Sequence, residues 1–141
     1  MPTTDRDMKG SALMPTILIV DNSEDLRILL TDTLQDAGWT VQTAADGSQA
    51  LALIHTDPPT LLLTDLSMPV MSGETLIHHT QHLYPALPIV VMTGSIARAE
   101  TDTIRQRLNV QGVLAKPFDL RTLKTLLSSL VQAAPTKSTA A

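Results

Sequence analysis

Apolar and polar positions follow two different rhythms that alternate along the chain. Short runs of strand length occur near residues 16–20, 40–43, 60–64, 88–92 and 113–115, and all but the second are mostly apolar. After each run, apolar residues recur every three or four positions, which is typical of one helix face, near residues 23–37, 46–54, 73–83, 97–108 and 119–130. Five strand signals alternating with five helix signals predict an α/β fold, in which helices cover both faces of a doubly wound parallel sheet.

Capping and turn residues mark the ends of several predicted helices. Either Asn22 or Ser23 can serve as the N-cap of the first helix, and Gly38 follows that helix as a stop signal. Asp119 is placed as the N-cap of the fifth helix. These signals support the helix boundaries that the apolar spacing predicts.

The chain is long enough for one domain of ordinary size and too short for two, at 141 residues. We place that domain at residues 16–131. Residues 1–15 are polar and without a period, and residues 132–141 are low in complexity. We therefore expect a flexible N-terminal lead-in and a flexible C-terminal tail.

Composition narrows the class of protein. The formal net charge is −4 and no Lys/Arg cluster occurs, which argues against a nucleic-acid partner. The chain has no cysteine, so disulfides, thiolate metal sites and cysteine nucleophiles are excluded. No apolar stretch approaches the ~20 residues that a membrane span needs, and the N-terminus lacks a signal-peptide core. A cytoplasmic globular domain with no membrane contact is the expectation.

Candidate chemistry lies where the strands end. Asp21 and Asp65 end the first and third apolar runs, Thr93 ends the fourth, and Lys116 ends the fifth. Because all strands of a parallel sheet end on one edge, where ligands bind, these four side chains should converge there. Two carboxylates with open positions suit Mg²⁺, and a nearby lysine and hydroxyl would cradle a phosphoryl group. This chemistry predicts phosphoryl transfer to either Asp65 or Asp21, since a carboxylate can form an aspartyl-phosphate.

Six short motifs follow one another along the chain: Ile17–Asp21, Asp46–Leu51, Thr64–Pro69, Met71–Gly73, Val91–Gly94 and Lys116–Phe118. In this order and at this spacing, they make the chain resemble the response-regulator receiver domains of two-component signalling. The resemblance covers about residues 16–131. It implies a flavodoxin-like (βα)5 fold, like that of the chemotaxis regulator, with strand order 2-1-3-4-5.

The resemblance also implies a role for each site residue. Asp65 would be the phosphoacceptor, taking its phosphoryl group from a sensor histidine kinase or a histidine phosphotransfer protein. Asp21, Asp65 and the backbone carbonyl of Ser67 would hold Mg²⁺, while Thr93 and Lys116 would bind phosphoryl oxygens. The domain would not be an enzyme beyond self-catalysed phosphoryl acceptance and slow autodephosphorylation. It would switch binding to a downstream protein, and the resemblance allows a homodimer through helix four, strand five and helix five.

Two positions depart from the family pattern. Asn22 stands where receivers usually carry a second acid that binds the metal, so the position is weakened as a ligand and Mg²⁺ affinity should fall. Val113 stands where many receivers carry a Tyr or Phe that swings inward, so an aromatic rotamer switch is not available. The first departure leaves an alternative open: a pseudo-receiver that binds proteins without being phosphorylated.

Overall fold

The computed structural model describes residues 15–68, 70–94 and 100–140, with side chains described as far as residue 131. Strands and helices alternate throughout. The strands are β1 (Thr16–Val20), β2 (Thr40–Ala44), β3 (Leu61–Asp65), β4 (Ile89–Thr93) and β5 (Gly112–Ala115). The helices are α1 (Glu24–Asp36), α2 (Gly47–Thr56), α3 (Gly73–Leu83), α4 (Thr101–Leu108) and α5 (Leu120–Ala140).

The five strands form one parallel sheet in the order β2-β1-β3-β4-β5. Both β3 and β4 are buried along their whole length, as expected for strands covered by helices on both faces. The α/β class, the parallel sheet and the strand order are therefore confirmed. The first switch in strand order lies between β1 and β3, and that switch fixes where a crevice opens at the carboxyl edge.

Successive residues of each strand face opposite sides of the sheet, so the structure has two apolar cores. Ile17 and Ile19 face the core covered by α1 and α5, together with Leu30 and Leu123. Leu18 and Val20 face the core covered by α2, α3 and α4. With few aromatic residues in the chain, Leu, Ile, Val and Ala fill both cores.

Helix ends agree with the sequence signals at several points. Ser23, not Asn22, is the N-cap of α1, and its hydroxyl accepts from the N–H of Leu26 at 3.2 Å. Gly38 follows α1 with a φ of 101°, a backbone conformation that glycine adopts without strain. The Asp119 side chain accepts from the N–H of Arg121 at 3.0 Å, which confirms it as a cap of α5.

Some boundaries differ from the predicted ones or stay untested. The third and fourth strands each end one residue later than predicted, so Asp65 and Thr93 are the last residues of β3 and β4. The predicted start of α4 at residue 97 lies outside the described residues, as do residues 1–14 of the predicted lead-in. The backbone of α5 is helical on both sides of residue 131, so the domain boundary there stays a prediction. No helix in the described part of the chain is long and apolar enough to cross a membrane.

Candidate functional site

Four polar side chains meet at the carboxyl edge of the sheet. Asp21 directly follows β1, Asp65 and Thr93 are the last residues of β3 and β4, and Lys116 directly follows β5. Asp21, Asp65 and Thr93 are only 1%, 6% and 2% exposed. Burial of charged groups is costly unless they are paired, so their clustering at one edge indicates a site and not a solvated surface.

Lys116 joins the two carboxylates. Its Nζ lies 2.7 Å from Oδ2 of Asp21 and 3.5 Å from Oδ2 of Asp65. Its backbone N–H donates to the carbonyl of Thr93 at 2.8 Å, which fixes the end of β5 against the end of β4. The Lys116–Pro117 peptide bond is cis. The structure thus brings Asp21, Asp65, Thr93 and Lys116 together, although the lysine contacts Asp21 more closely than the predicted phosphoacceptor.

The carboxylate of Asp21 is held on both oxygens. Oδ1 accepts from the N–H of Ser23 at 2.8 Å, and Oδ2 accepts from Lys116. Asn22 lies between Asp21 and Ser23 in the chain but is exposed. The turn that starts α1 therefore orients Asp21 inward and leaves the amide of Asn22 at the rim.

Asp65 lies in a less polar environment than an ordinary surface acid. Burial raises the pKa of its carboxyl above the usual 3.8, and the nearby charge of Asp21 raises it further. Lys116 and the N–H groups of Leu66 and Ser67 lower that pKa, but they do not outweigh burial. The N–H of Ser67 is 3.5 Å from Oδ1 of Asp65, a long contact. The predicted role of the Ser67 carbonyl as a metal ligand stays a prediction.

The N-terminus of α3 packs directly under the loop that carries Asp65. The N–H of Gly73 donates to the carbonyl of Leu66 at 2.8 Å. A Cβ at position 73 would overlap the backbone oxygen of Asp65 and lie 2.6 Å from the Cα of Leu66. Only glycine allows this approach, which explains why the residue that opens α3 lacks a side chain.

Arg27 also belongs to the site, although no motif in the sequence points to it. Its Nη1 donates to the backbone carbonyl of Asp21 at 2.6 Å, from the second turn of α1. In the sequence it is one arginine in an amphipathic helix, with no signal that separates it from a solvated residue. Its contact depends on how α1 crosses the end of β1, which local spacing does not encode.

The site offers a hard divalent cation the carboxylate oxygens that it prefers, but it offers little negative charge. Asp21 and Asp65 are two buried carboxylates on one edge, and Mg²⁺ commonly binds through one or two carboxylates while keeping several waters. Among the described residues, no group of three His, Cys, Asp or Glu side chains is placed to hold a metal. Asn22, which the sequence predicts to be a weakened metal ligand, has a neutral amide, and its role as a ligand stays a prediction.

Comparison with known proteins identifies the family. A family model described as the response regulator receiver domain matches residues 17–128. The chain belongs to the response-regulator receiver family. This receiver is 34% identical over 124 residues to the response regulator receiver protein CpdR of Brucella abortus, and the match covers 86% of this chain and all of that protein.

Two other relatives show the range of proteins that carry such a domain. The receiver is 37% identical over 122 residues to the sensor histidine kinase TmoS of Ectopseudomonas mendocina, covering 83% of this chain but 12% of that kinase. Among solved structures, the chemotaxis protein CheY4 of Vibrio cholerae matches with a TM-score of 0.75 and 33% identity, covering 83% of this chain and 98% of that one. Receivers therefore occur both as single domains and as a small part of much longer kinases.

Proposed function

We propose that this receiver accepts a phosphoryl group on Asp65 from a phosphohistidine of a sensor histidine kinase or phosphotransfer protein, and thereby switches binding to a downstream protein. One observation carries the proposal: a buried carboxylate, Asp65, has an ammonium group, Lys116 Nζ, 3.5 Å away at the ligand-binding edge of the sheet. Phosphoryl transfer needs little covalent chemistry beyond an in-line nucleophile, and it depends mainly on positioning and charge neutralisation.

The transfer step forms one bond and breaks one. An oxygen of the ionised Asp65 carboxylate attacks the phosphorus, a P–O bond forms, and the N–P bond of the phosphohistidine breaks. The electron pair of that bond returns to the imidazole nitrogen of the donor. The product is an acyl phosphate on Asp65.

Lys116 and Thr93 support this step from neighbouring strands. The ammonium of Lys116 opposes the effect of burial on the pKa of Asp65 and so favours the ionised nucleophile. Its Nζ would then pair with an oxygen of the transferred group, which carries more negative charge than the carboxylate it replaces. The hydroxyl of Thr93 would donate to another phosphoryl oxygen.

Mg²⁺ would be held by Asp21, Asp65 and the carbonyl of Ser67, with Asn22 as a neutral ligand, and would neutralise charge on the phosphoryl oxygens. Asp21 is already oriented for this role by Ser23 and Lys116. The missing acid at position 22 predicts weak metal binding. We expect acceptance and slow autodephosphorylation, and no turnover of a separate substrate.

The signal would leave the site through backbone shifts at the ends of β4 and β5. Thr93 and Lys116 are joined there by a 2.8 Å backbone hydrogen bond, so a shift of one strand end moves the other. Val113 is half-buried against the core under α2, α3 and α4, and it has no ring that could rotate. Binding of a downstream protein, or of a second copy of the chain, would use the face formed by α4, β5 and α5. We expect the protein to act in the cytoplasm.

Intact-mass measurement after incubation with acetyl phosphate and Mg²⁺ tests the proposal. The wild-type protein should gain the mass of one phosphoryl group, and hydroxylamine should remove it, because it cleaves acyl phosphates and not phosphoesters. Asp65→Asn should gain no adduct, while Asp25→Asn, which removes an exposed acid from the first turn of α1, should behave as wild type.

An adduct that persists in Asp65→Asn, or one that survives hydroxylamine, would contradict Asp65 as the acceptor. No adduct on the wild-type protein at high Mg²⁺ would favour the alternative, a pseudo-receiver that works without phosphorylation. That alternative rests on the missing acid at position 22. The same mass measurement on Asn22→Asp, which restores the acid, is therefore the second sample.

A further inference from the structure

Arg27 makes a contact that the proposed chemistry does not use. Its Nη1 lies 2.6 Å from the backbone oxygen of Asp21, the shortest of the side-chain hydrogen bonds that hold Asp21. Arg27 is half-buried, and this hydrogen bond places its positive charge beside Asp21. A guanidinium is always charged in proteins, whatever the surrounding pH.

Counting charges at the site changes the expectation for a metal. Asp21 and Asp65 bring two negative charges, and Lys116 and Arg27 bring two positive charges. The charges of these four contacting groups therefore sum to zero before any cation binds. A third acid would have left it negative, but Asn22 stands in that position.

We propose that Arg27 is a positioning residue that holds the Asp21 end of β1 and, by its fixed positive charge, lowers the affinity of this receiver for a divalent cation. It contacts the backbone of Asp21 and not the reacting atoms, so it acts through Asp21. The weak metal binding predicted from Asn22 thus has a second cause, on a different element of the fold.

The positive charge of Arg27 and its hydrogen bond to Asp21 make opposite predictions for the cation affinity of a variant with a neutral side chain at position 27. If the charge dominates, removing it strengthens cation binding, because a unit positive charge within one residue of a carboxylate ligand repels the cation. At low salt this repulsion changes affinity by about tenfold, and the effect shrinks as salt shortens the Debye length from ~30 Å at 0.01 M to ~8 Å at 0.15 M. If the hydrogen bond only braces the loop, its removal loosens Asp21 and weakens binding.

Titration with Mn²⁺, followed by the electron paramagnetic resonance signal of the free ion, measures this without any phosphorylation. Mn²⁺ is the probe because it takes the same hard oxygen ligands as Mg²⁺. The samples are wild type, Arg27→Gln, Arg27→Lys and Asp21→Asn. The Asp21→Asn variant identifies the part of the Mn²⁺ binding that belongs to this site, because it removes one of the two carboxylate ligands. Arg105→Gln is the matched control, because Arg105 is paired with Asp102 on α4, across the sheet from α1.

We expect Arg27→Gln to bind Mn²⁺ about tenfold more tightly than wild type at low salt, with a smaller gain at 0.15 M. Arg27→Lys keeps the charge and should keep the weak affinity, a rescue that a purely bracing role would not give. Unchanged or weaker binding in Arg27→Gln, equal gains in Arg27→Gln and Arg27→Lys, or an equal gain in Arg105→Gln would overturn the proposal.

The inference rests on the proposed function only in assigning the cation to the phosphoacceptor site, and the two can fail separately. Tighter Mn²⁺ binding in Arg27→Gln with no phosphoryl adduct on Asp65 would leave the inference standing and reject the function. An adduct on Asp65 with no change in Mn²⁺ affinity would do the reverse.

Discussion

Replacing Lys116 by methionine tests how strongly the site depends on its central cation. The substitution keeps an unbranched chain of similar reach and removes the ammonium that lies 2.7 Å from Asp21 and 3.5 Å from Asp65. Both carboxylates are buried, so neither gains a solvent partner in exchange. We expect the variant to fold with reduced stability at neutral pH.

The size of the loss follows from the distances. At an effective dielectric constant near 20, the two contacts are worth roughly 6 and roughly 5 kcal/mol in Coulomb energy. Several kcal/mol of this is offset, because the ammonium no longer loses its hydration on folding. Breaking a buried ion pair by removing one partner typically costs about 3–5 kcal/mol. Lys116 is 25% exposed at its side chain, so we expect the lower end, about 3 kcal/mol.

Urea denaturation with EDTA present measures this loss, followed by the fluorescence of Trp39. Trp39 is the only tryptophan in the chain and is 6% exposed, so unfolding changes its surroundings. The midpoint should fall with little change in slope, since the folded surface is nearly the same. The loss should also shrink as the pH is lowered, because Asp65, whose pKa is already raised by burial, becomes neutral before an ordinary acid does.

Two comparisons separate this mechanism from a general effect of lysine removal. Lys124→Met removes an exposed lysine of α5 and should change stability by less than about 0.5 kcal/mol. Adding Asp21→Asn to Lys116→Met should restore part of the loss, because it removes one of the two unpaired charges. A loss no larger than that of Lys124→Met, or one that does not diminish at low pH, would refute the reasoning.

Three further predictions concern the loop around Asp65. Because burial raises the pKa of Asp65, the folded protein holds the carboxyl proton more tightly than the unfolded chain, and stability falls as the pH rises from 3.8 through the raised pKa. Asp65→Asn should therefore be more stable than wild type at neutral pH. Urea titrations at several pH values should show that this gain vanishes as the pH is lowered to about 3.8. Gly73→Ala should cost about 3 kcal/mol through overpacking, whereas Gly94→Ala, whose Cβ would be 3.9 Å from its nearest neighbour, should cost far less; equal midpoints would contradict the overlap. Val70 has a φ of 71° and is 82% exposed, so Val70→Gly should raise the melting temperature through a gain of about 0.5–1 kcal/mol, while Val70→Ala, which keeps a Cβ, should not.

Most of the fold could be predicted from the chain, because its signals are local. A buried strand is a short apolar run, and a helix is a repeat of three or four residues, so the element order follows from patterns within about 15 residues. The element boundaries differ from the predicted ones by a residue, as at β3, because the last residue of a strand or helix depends on its hydrogen-bond partners. The choice between Asn22 and Ser23 as the N-cap of α1 is of this kind, since both side chains can accept the same bond.

The sequence by itself determined the element order and which residues end the strands, and therefore that Asp21, Asp65, Thr93 and Lys116 share one edge. Only the tertiary structure decided how they are paired: Lys116 lies closer to Asp21 than to Asp65, and Arg27 reaches the carbonyl of Asp21. Lys116 and Asp21 are 95 positions apart in the chain. The distance between their charged atoms is set by the packing of α1 and α5 on one face of the sheet and by the two turns that begin these helices. Ångström differences of that kind decide electrostatic energies, and no local pattern of residue types contains them.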